Sequence, residues 1–344
     1  MTGLLIPSFF LTLFGSFNIF GIKPNLFLPQ LAFFVIGLVV FFTAKKIGRN
    51  FFFSNAEFFY WFFIVLLIAT FIIGFEVKGS KRWIDLIFFN FQSSEFLKVF
   101  FIIFFAKLFS RKFFAINSLE EFLKSLFYFL LPTLIIFKQP DLGNAMVYTF
   151  IFIVMLLFSK IPKRYVVYLF IIAILVAPIG LHFLKGYQKE RISSFFNPQL
   201  DTQGNAYNMT QAVITVGSGK FLGRGLGLGT QSRLYFLPEN YTDFAFASLV
   251  EQFGFVGGFI ILLLYFIISL AIFRNALNYF YKDDEDSRQK FFYSIGFLSF
   301  FIFQMAINIG MNMGMFPITG IALPFISYGG SSLVSLLLGM SILP

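Results

Sequence analysis

The sequence predicts an all-α, polytopic membrane protein with about ten transmembrane helices. A large extracytoplasmic loop, about 185–242, separates the seventh from the eighth. Three observations predict this. The chain is 58% hydrophobic and only 12% charged, where a soluble domain carries about 25% charged residues. Its apolar residues gather into long runs, and its Lys and Arg residues concentrate in alternate connections between those runs.

The runs lie at roughly 4–20, 26–43, 58–75, 95–110, 124–138, 143–159, 164–184, 244–273, 291–310 and 321–343. Several reach the roughly 20 residues that cross a bilayer core. Backbone groups in lipid must be satisfied internally, so these runs are helices; a barrel would show alternating ten-residue segments. The first run has no positive residues before it and no small-residue cleavage site after it, so it is expected to be a retained span. The fifth and sixth are short and meet at Pro140. One set of connections holds Lys45, Lys46 and Arg49; Lys107, Arg111, Lys112 and Lys124; Lys160, Lys163 and Arg164; and Arg274, Lys282, Arg288 and Lys290. The short connections of the other set hold only Lys23, Lys78, Lys81, Arg82 and Lys138. The richer set is cytoplasmic by the positive-inside rule, which puts both termini in the cytoplasm and the 185–242 loop outside. No repeat or low-complexity linker divides the chain, so 1–344 reads as one integral-membrane domain.

Composition also excludes. The chain has no cysteine, which removes disulfides, thiolate metal sites and cysteine nucleophiles. Its one histidine, His182, ends an apolar run with no clustered ligands and reads as a packing residue. The net charge of +10 is not gathered into a basic run interleaved with aromatics, so no nucleic-acid partner is expected. The 59 phenylalanines partition into lipid as Leu and Ile do and read as compositional bias. The acidic stretch Asp283–Asp286 reads as a solvated cytoplasmic turn. Asn208-Met209-Thr210 and Asn240-Tyr241-Thr242 match the glycosylation pattern by chance.

Polar residues collect at the outer face. Asp243 ends Gln231–Phe244 just where the eighth apolar run begins. A carboxylate there is costly to bury, which suggests chemistry on a substrate arriving from the membrane; a helix N-cap is the plainer role. Glu95 and Lys98, three apart, share a helix face and pair, either as a functional group or as a staple between helices. Asp141, after Pro140, caps the next helix. Two prolines and Gly329-Gly330-Ser331-Ser332 within 316–332 predict an interrupted helix lining a cavity. The long loop carries Arg191-Ile192-Ser193-Ser194-Phe195-Phe196-Asn197-Pro198 and then Gly217, Gly219, Gly223, Gly225, Gly227 and Gly229. These glycines permit close backbone approach, but neither phosphate-loop spacing is present, so no nucleotide is implied.

Five motifs occur in order: Gly-Ser-Lys-Arg-Trp-Ile (79–84), Gln-Ser-Ser-Glu-Phe-Leu-Lys (92–98), Gln-Pro-Asp-Leu-Gly (139–143), Gly-Thr-Gln-Ser-Arg-Leu-Tyr-Phe-Leu-Pro-Glu-Asn-Tyr-Thr-Asp-Phe (229–244) and Leu-Pro-Phe-Ile-Ser-Tyr-Gly-Gly-Ser-Ser (323–332). Together they resemble the signatures of the SEDS family (shape, elongation, division and sporulation) of bacterial peptidoglycan glycosyltransferases. The Gly-Thr-Gln-Ser stretch and Gly-Met-Asn-Met-Gly-Met-Phe-Pro look more like the family's rod-shape branch than its division branch. The resemblance implies ten transmembrane helices in the bacterial cytoplasmic membrane, a lipid II substrate, membrane lipids around it, and a partner class B penicillin-binding protein. By motif, Asp243 matches the family's essential outer-face aspartate, Glu95 and Lys98 its charged pair, and Arg191 the arginine ahead of Phe-x-x-Pro. This chain departs from the pattern at Ser93, where Pro is usual, at Tyr241, where His is common, and at Gln252, where a second Glu is common.

The expected reaction joins lipid II units into glycan and releases undecaprenyl diphosphate. Asp243 is the expected base. Arg191, Lys98 and Arg82, in that order, are the expected cations for the diphosphate, with Glu95 beside Lys98. No dedicated acidic metal cage is visible; a divalent cation, Mg2+ or Mn2+, is left open. Two rival readings are a flippase for the same lipid-linked precursor and a non-catalytic scaffold for wall enzymes. A transporter would place its ionisable groups near the bilayer midplane and show repeated halves.

Overall fold

The computed structural model describes residues 2–77, 80–85, 90–111, 118–183, 186–196 and 204–344. Lys78, Gly79, Lys112, Asn197 and Pro198 lie outside the described residues, as do the side chains of His182 and Arg191. In chain order the helices are α1 (Thr2–Ile22), α2 (Phe27–Ile47), α3 (Arg49–Ser54), α4 (Ala56–Ile73), α5 (Ser93–Ser110), α6 (Ser118–Lys138), α7 (Leu142–Phe158), α8 (Lys163–Phe183), α9 (Gly186–Phe196), α10 (Asn205–Ser218), α11 (Thr230–Arg233), α12 (Ala245–Phe280), α13 (Glu285–Asn312) and α14 (Gly330–Ile342). The fold is that of an all-α polytopic membrane protein. All ten apolar runs are helical, and the last begins only at Gly330, after an irregular stretch through 313–329.

Among the described residues, five spans are long and apolar enough to cross a membrane unaided: Gly3–Ile22, Pro24–Ile47, Ala56–Ile73, Ala245–Phe280 and Glu285–Asn312. Of the other apolar helices, α7 and α14 are shorter, and α5 carries Glu95, Lys98 and Lys107 within it. Two features depart from the sequence expectation. Among its described residues the 185–242 loop holds three helices, α9, α10 and α11. Among the described residues of the connection before α5 lies a small antiparallel sheet, β1 (Phe75–Val77), β2 (Ser80–Asp85) and β3 (Asn90–Phe91), in the order β1-β2-β3.

The chain forms two compact units. Unit one comprises 1–31, 166–268 and 304–328; unit two comprises 32–165, 269–303 and 329–344. In unit two, α5 is buried on nearly every side, its Glu95 and Lys98 included. Its neighbour α4 is two-faced. Tyr60, Phe63, Ile64 and Leu67 are buried, while Phe58, Val65 and Ile72, seven residues apart, are exposed, the arrangement of a helix with one side toward lipid. Phenylalanines join the two helices: Phe100 stacks on Phe63 at 4.7 Å and on Phe59 at 4.8 Å. Asp283–Asp286 is more than a turn, for Asp284 accepts from Ser287 N at 2.9 Å at the start of α13 and Asp286 pairs with Arg49 at 3.1 Å. Ser287 holds the Asp284 carboxyl below its ordinary value, and the same contact caps the helix.

In unit one a buried cluster of Ala212, Leu237, Phe244, Ala247, Met311 and Ile318 packs α10, the segment before α12, α12 itself, α13 and the irregular stretch together. That cluster fixes the start of α12, where Asp243 sits.

Candidate active site

Asp243 lies two residues before α12 and keeps part of its surface accessible. Its backbone neighbourhood is held by Ser248 of α12 and by groups remote in sequence. The carbonyl of Asn240 accepts from Ser248 Oγ at 2.6 Å, that of Tyr241 from Tyr328 N at 2.8 Å, and that of Thr242 from Ser327 Oγ at 2.6 Å. The Asp243 carbonyl accepts from Asn308 Nδ2 at 3.0 Å and Asn312 Nδ2 at 3.1 Å. Four successive carbonyls are therefore fixed by partners outside the local turn. The Ala247 N–H at the start of α12 goes to Asn312 Oδ1 at 3.0 Å. Gly320, with φ of +72°, brings its Cα so near that an added Cβ would lie 3.7 Å from Asp243 Oδ2. The interrupted stretch predicted for 316–332 thus passes beside the aspartate.

Eight residues farther on, α12 carries Glu251, which has no exposed surface. Its Oε1 accepts from Gln231 N at 2.9 Å and its Oε2 from Ser232 N at 3.0 Å and Ser232 Oγ at 2.5 Å. These donors sit at the N-terminal end of α11, where free N–H groups and the helix dipole favour an anion. Gln252 joins α1 to the glycine segment: its Nε2 donates to Asn18 Oδ1 at 2.6 Å and its Oε1 accepts from Gly227 N at 2.9 Å. The family departure at this position therefore has a structural use. A second carboxylate would lack the donor that reaches Asn18.

Two residues later α12 breaks. Gly254 has φ of +70° and ψ of −169°, and the glycine segment fills the gap. Glu251 O and Gln252 O accept from Arg224 N at 2.8 Å and Gly225 N at 3.0 Å. Phe255 N and Val256 N donate to Lys220 O at 2.9 Å and Phe221 O at 3.2 Å. The glycines serve this approach: a Cβ on Gly223 would fall 2.2 Å from Gln252 O. A pocket of about 320 Å³ opens beside the segment, between Phe20, Ile22 and Pro24 of unit one and Leu226, Leu228 and Arg233, and Asp243 is not among its lining residues.

Unit two holds the other predicted residues in one buried network. Lys98, with no exposed surface, donates to Glu95 Oε1 at 2.7 Å and to Asn144 Oδ1 at 3.0 Å, and lies 5.0 Å from the centre of the Phe300 ring. Asn144 Nδ2 donates to Asp141 Oδ2 at 2.9 Å, while Asp141 Oδ1 caps α7 through Asn144 N at 3.1 Å. Arg82, on β2, lies 3.7 Å from Asp141 Oδ1 and donates to the carbonyls of Gln139 and Pro140. The chain of contacts Arg82–Asp141–Asn144–Lys98–Glu95 balances its charges pairwise, as burial demands. Glu95 Oε2 has no hydrogen-bond partner among the described residues. Arg191 falls in α9 of unit one.

Sequence reasoning passed over Asn308, Asn312, Asn18 and the structural use of Gln252. A signal was present: Asn308 and Asn312 are four apart in an apolar run, on one helix face, and polar groups within a span face protein rather than lipid. Among the described residues no three His, Cys, Asp or Glu side chains gather as a metal site would require.

Comparison with known proteins decides the family. Residues 3–344 match the family described as a cell cycle protein, FtsW/RodA/SpoVE. The chain belongs to that family. Similar relatives include the probable peptidoglycan glycosyltransferase FtsW of Hydrogenovibrio crunogenus, 32% identical over 94% of this chain and 82% of the relative. Stage V sporulation protein E of Bacillus subtilis is 35% identical, over 91% of this chain and 84% of the relative. The peptidoglycan glycosyltransferase MrdB of Helicobacter pylori is 33% identical, over 99% and 86%. Among solved structures, a chain from a peptidoglycan synthase complex matches with a TM-score of 0.84 at 27% identity, covering 100% of this chain and 96% of that one. RodA of Thermus thermophilus shares the fold, with a TM-score of 0.73 at 24% identity, over 100% and 95%.

Proposed function

We infer that this protein is a peptidoglycan glycosyltransferase that polymerises lipid II at the outer face of the bacterial cytoplasmic membrane, with both its termini in the cytoplasm. Family membership over 3–344 and relatives of that activity matched over more than four fifths of their length support the reaction. The observation that carries the site is the held backbone of Asp243, whose residue keeps accessible surface while four carbonyls around it are tied down.

In the proposed step, the 4-hydroxyl oxygen of the acceptor sugar attacks the anomeric carbon of the donor. The bond from that carbon to the diphosphate breaks, its electron pair leaves with undecaprenyl diphosphate, and the hydroxyl proton passes to the Asp243 carboxylate. Direct displacement inverts the anomeric centre. A carboxylate is an adequate base because proton transfer lags carbon–oxygen bond formation in an oxocarbenium-like transition state. The leaving diphosphate is matched by cations, with Arg191, Lys98 and Arg82 as candidates. Arg82 retains exposed surface, whereas Lys98 is enclosed by Glu95, Asn144 and Phe300. Of the three, Arg82 is proposed for direct contact with the anion, and the enclosed Lys98–Glu95 pair for a supporting role. A Mg2+ or Mn2+ ion, if one is used, would be carried by the diphosphate, since no acidic cage is built among the described residues. Membrane lipids surround the apolar helices, and a class B penicillin-binding protein is the proposed partner that cross-links the product.

Purified full-length protein given lipid II tests the reading. Glycan strands from the wild type, and none from Asp243→Asn at equal folded amount, are expected. Strands from Asp243→Asn would remove the base. No strands from the wild type, alone or with its partner, would favour a flippase or a scaffold.

A further inference from the structure

Asn312 does something unusual at the start of α12. In a regular helix the Ala247 N–H would bond to the Asp243 carbonyl four residues back. Here neither group meets the other. The Asp243 carbonyl accepts from Asn312 Nδ2 at 3.1 Å, and the Ala247 N–H donates to Asn312 Oδ1 at 3.0 Å. One carboxamide from α13 is spliced into the first turn of α12. The assignment of its two ends is forced, since only the oxygen can accept from an N–H and only the nitrogen can donate to a carbonyl.

Asn308, one turn earlier on α13, reinforces the splice. Its Nδ2 donates to the same Asp243 carbonyl at 3.0 Å and to Ile321 O at 2.7 Å. Asn312 Nδ2 also donates to Asn308 O at 2.7 Å. Both side chains have no exposed surface. A buried amide is expensive unless satisfied, and these are satisfied by the backbone of the very residue that the proposed reaction depends on.

We propose that Asn312, supported by Asn308, is a positioning residue for catalysis. Its amide takes Asp243 out of the helical ladder, so the backbone of the base is set by α13 and not by its own helix. This rests on Asp243 being the base. Displacing a catalytic group by about 1 Å costs on the order of 100-fold in rate, so the amide acts on turnover while leaving substrate affinity alone.

The test uses full-length protein, lipid II polymerisation and thermal unfolding. Asn312→Asp keeps an oxygen for the Ala247 N–H but loses the donor to the Asp243 carbonyl. The new carboxyl oxygen is buried against the Asp243 and Asn308 carbonyls, so the variant's Tm is expected to fall. Assayed well below that Tm, it is expected to keep its KM for lipid II and to lose about 100-fold in kcat. Asn308→Ala leaves the splice intact and removes the second donor, with an expected loss of about tenfold in kcat at unchanged KM. Wild-type kcat in Asn312→Asp, with Asp243→Asn inactive, overturns the positioning role and leaves the base assignment standing. A kcat loss that disappears when activity is expressed per folded molecule, or that comes with a higher KM, also overturns it, because Asn312 would then serve folding or binding. If Asn312→Asp does not accumulate, Asn308→Ala decides by the same measures. Glycan synthesis by Asp243→Asn removes the base, and the positioning role with it.

Discussion

Two carboxylates on the same stretch of chain, Asp243 and Glu251, are treated in opposite ways. From Asn240 to Asp243 the backbone carbonyls accept from five donors, two of them at Asp243 itself, while Asp243 keeps accessible surface. At Glu251 it is the carboxylate that is held, by Gln231 N, Ser232 N and Ser232 Oγ, with no surface left. A group that must exchange a proton with substrate needs a fixed frame and an open end. One that must fix a frame needs the reverse. The contrast separates a candidate catalyst from a scaffold element without reference to charge, which the two share.

Four substitutions bear on that contrast. The largest effect on activity belongs to Asp243→Asn, which should lower lipid II polymerisation at least 1,000-fold, about the scale of general-base loss, with little change in Tm. Unimpaired turnover would put the two carboxylates in one class. The largest effect on stability belongs to Glu251→Ala. It removes the acceptor of four donors. Ser218 Oγ keeps the Thr215 carbonyl, while Gln231 N, Ser232 N and Ser232 Oγ are left without a partner at about 1–3 kcal/mol each. A loss of about 3 kcal/mol or more is therefore expected in denaturation, with activity per folded molecule retained. Should Glu251→Ala stay as stable as the wild type but lose turnover, Glu251 belongs with Asp243. Gly320→Ala comes next. Its positive φ costs about 1–2 kcal/mol for a side chain, and the new methyl would stand in ordinary contact with Asp243 Oδ2, so kcat should fall severalfold while Glu251-dependent packing is untouched. The smallest is Ser232→Ala, which removes one of the Glu251 contacts and should lower stability by about 1–2 kcal/mol, with no change in KM.

Much of this was visible in the sequence, for definite reasons. Nine of the apolar runs are helical over most of their described residues, and the tenth only from Gly330 on, because backbone in lipid must satisfy its own polar groups. Glu95 and Lys98 pair as their spacing on one helix face requires, and Asp141 caps α7. The helices α9 to α11 were not seen, since their mixed polarity carries no long apolar period. The sheet of 75–91 is too short for alternation to stand out. The break in α12 was hidden because Gly254 sits among apolar residues. Its only trace is the polar pair Glu251-Gln252 just before it. Asp243 was found from its place at the end of a polar segment, but the side chains that hold it come from residues 65 and 69 positions later, a distance no local pattern reports.

The interruption at Gly254 binds two parts of the chain to a common fate. Arg224, Gly225, Phe255 and Val256 each give their amide hydrogen to a carbonyl across the gap. Any bending of α12 there must strip all four at once. These amides should therefore exchange with deuterium in step, and a protease cut between Lys220 and Gly225 should loosen a helix whose own covalent chain remains whole.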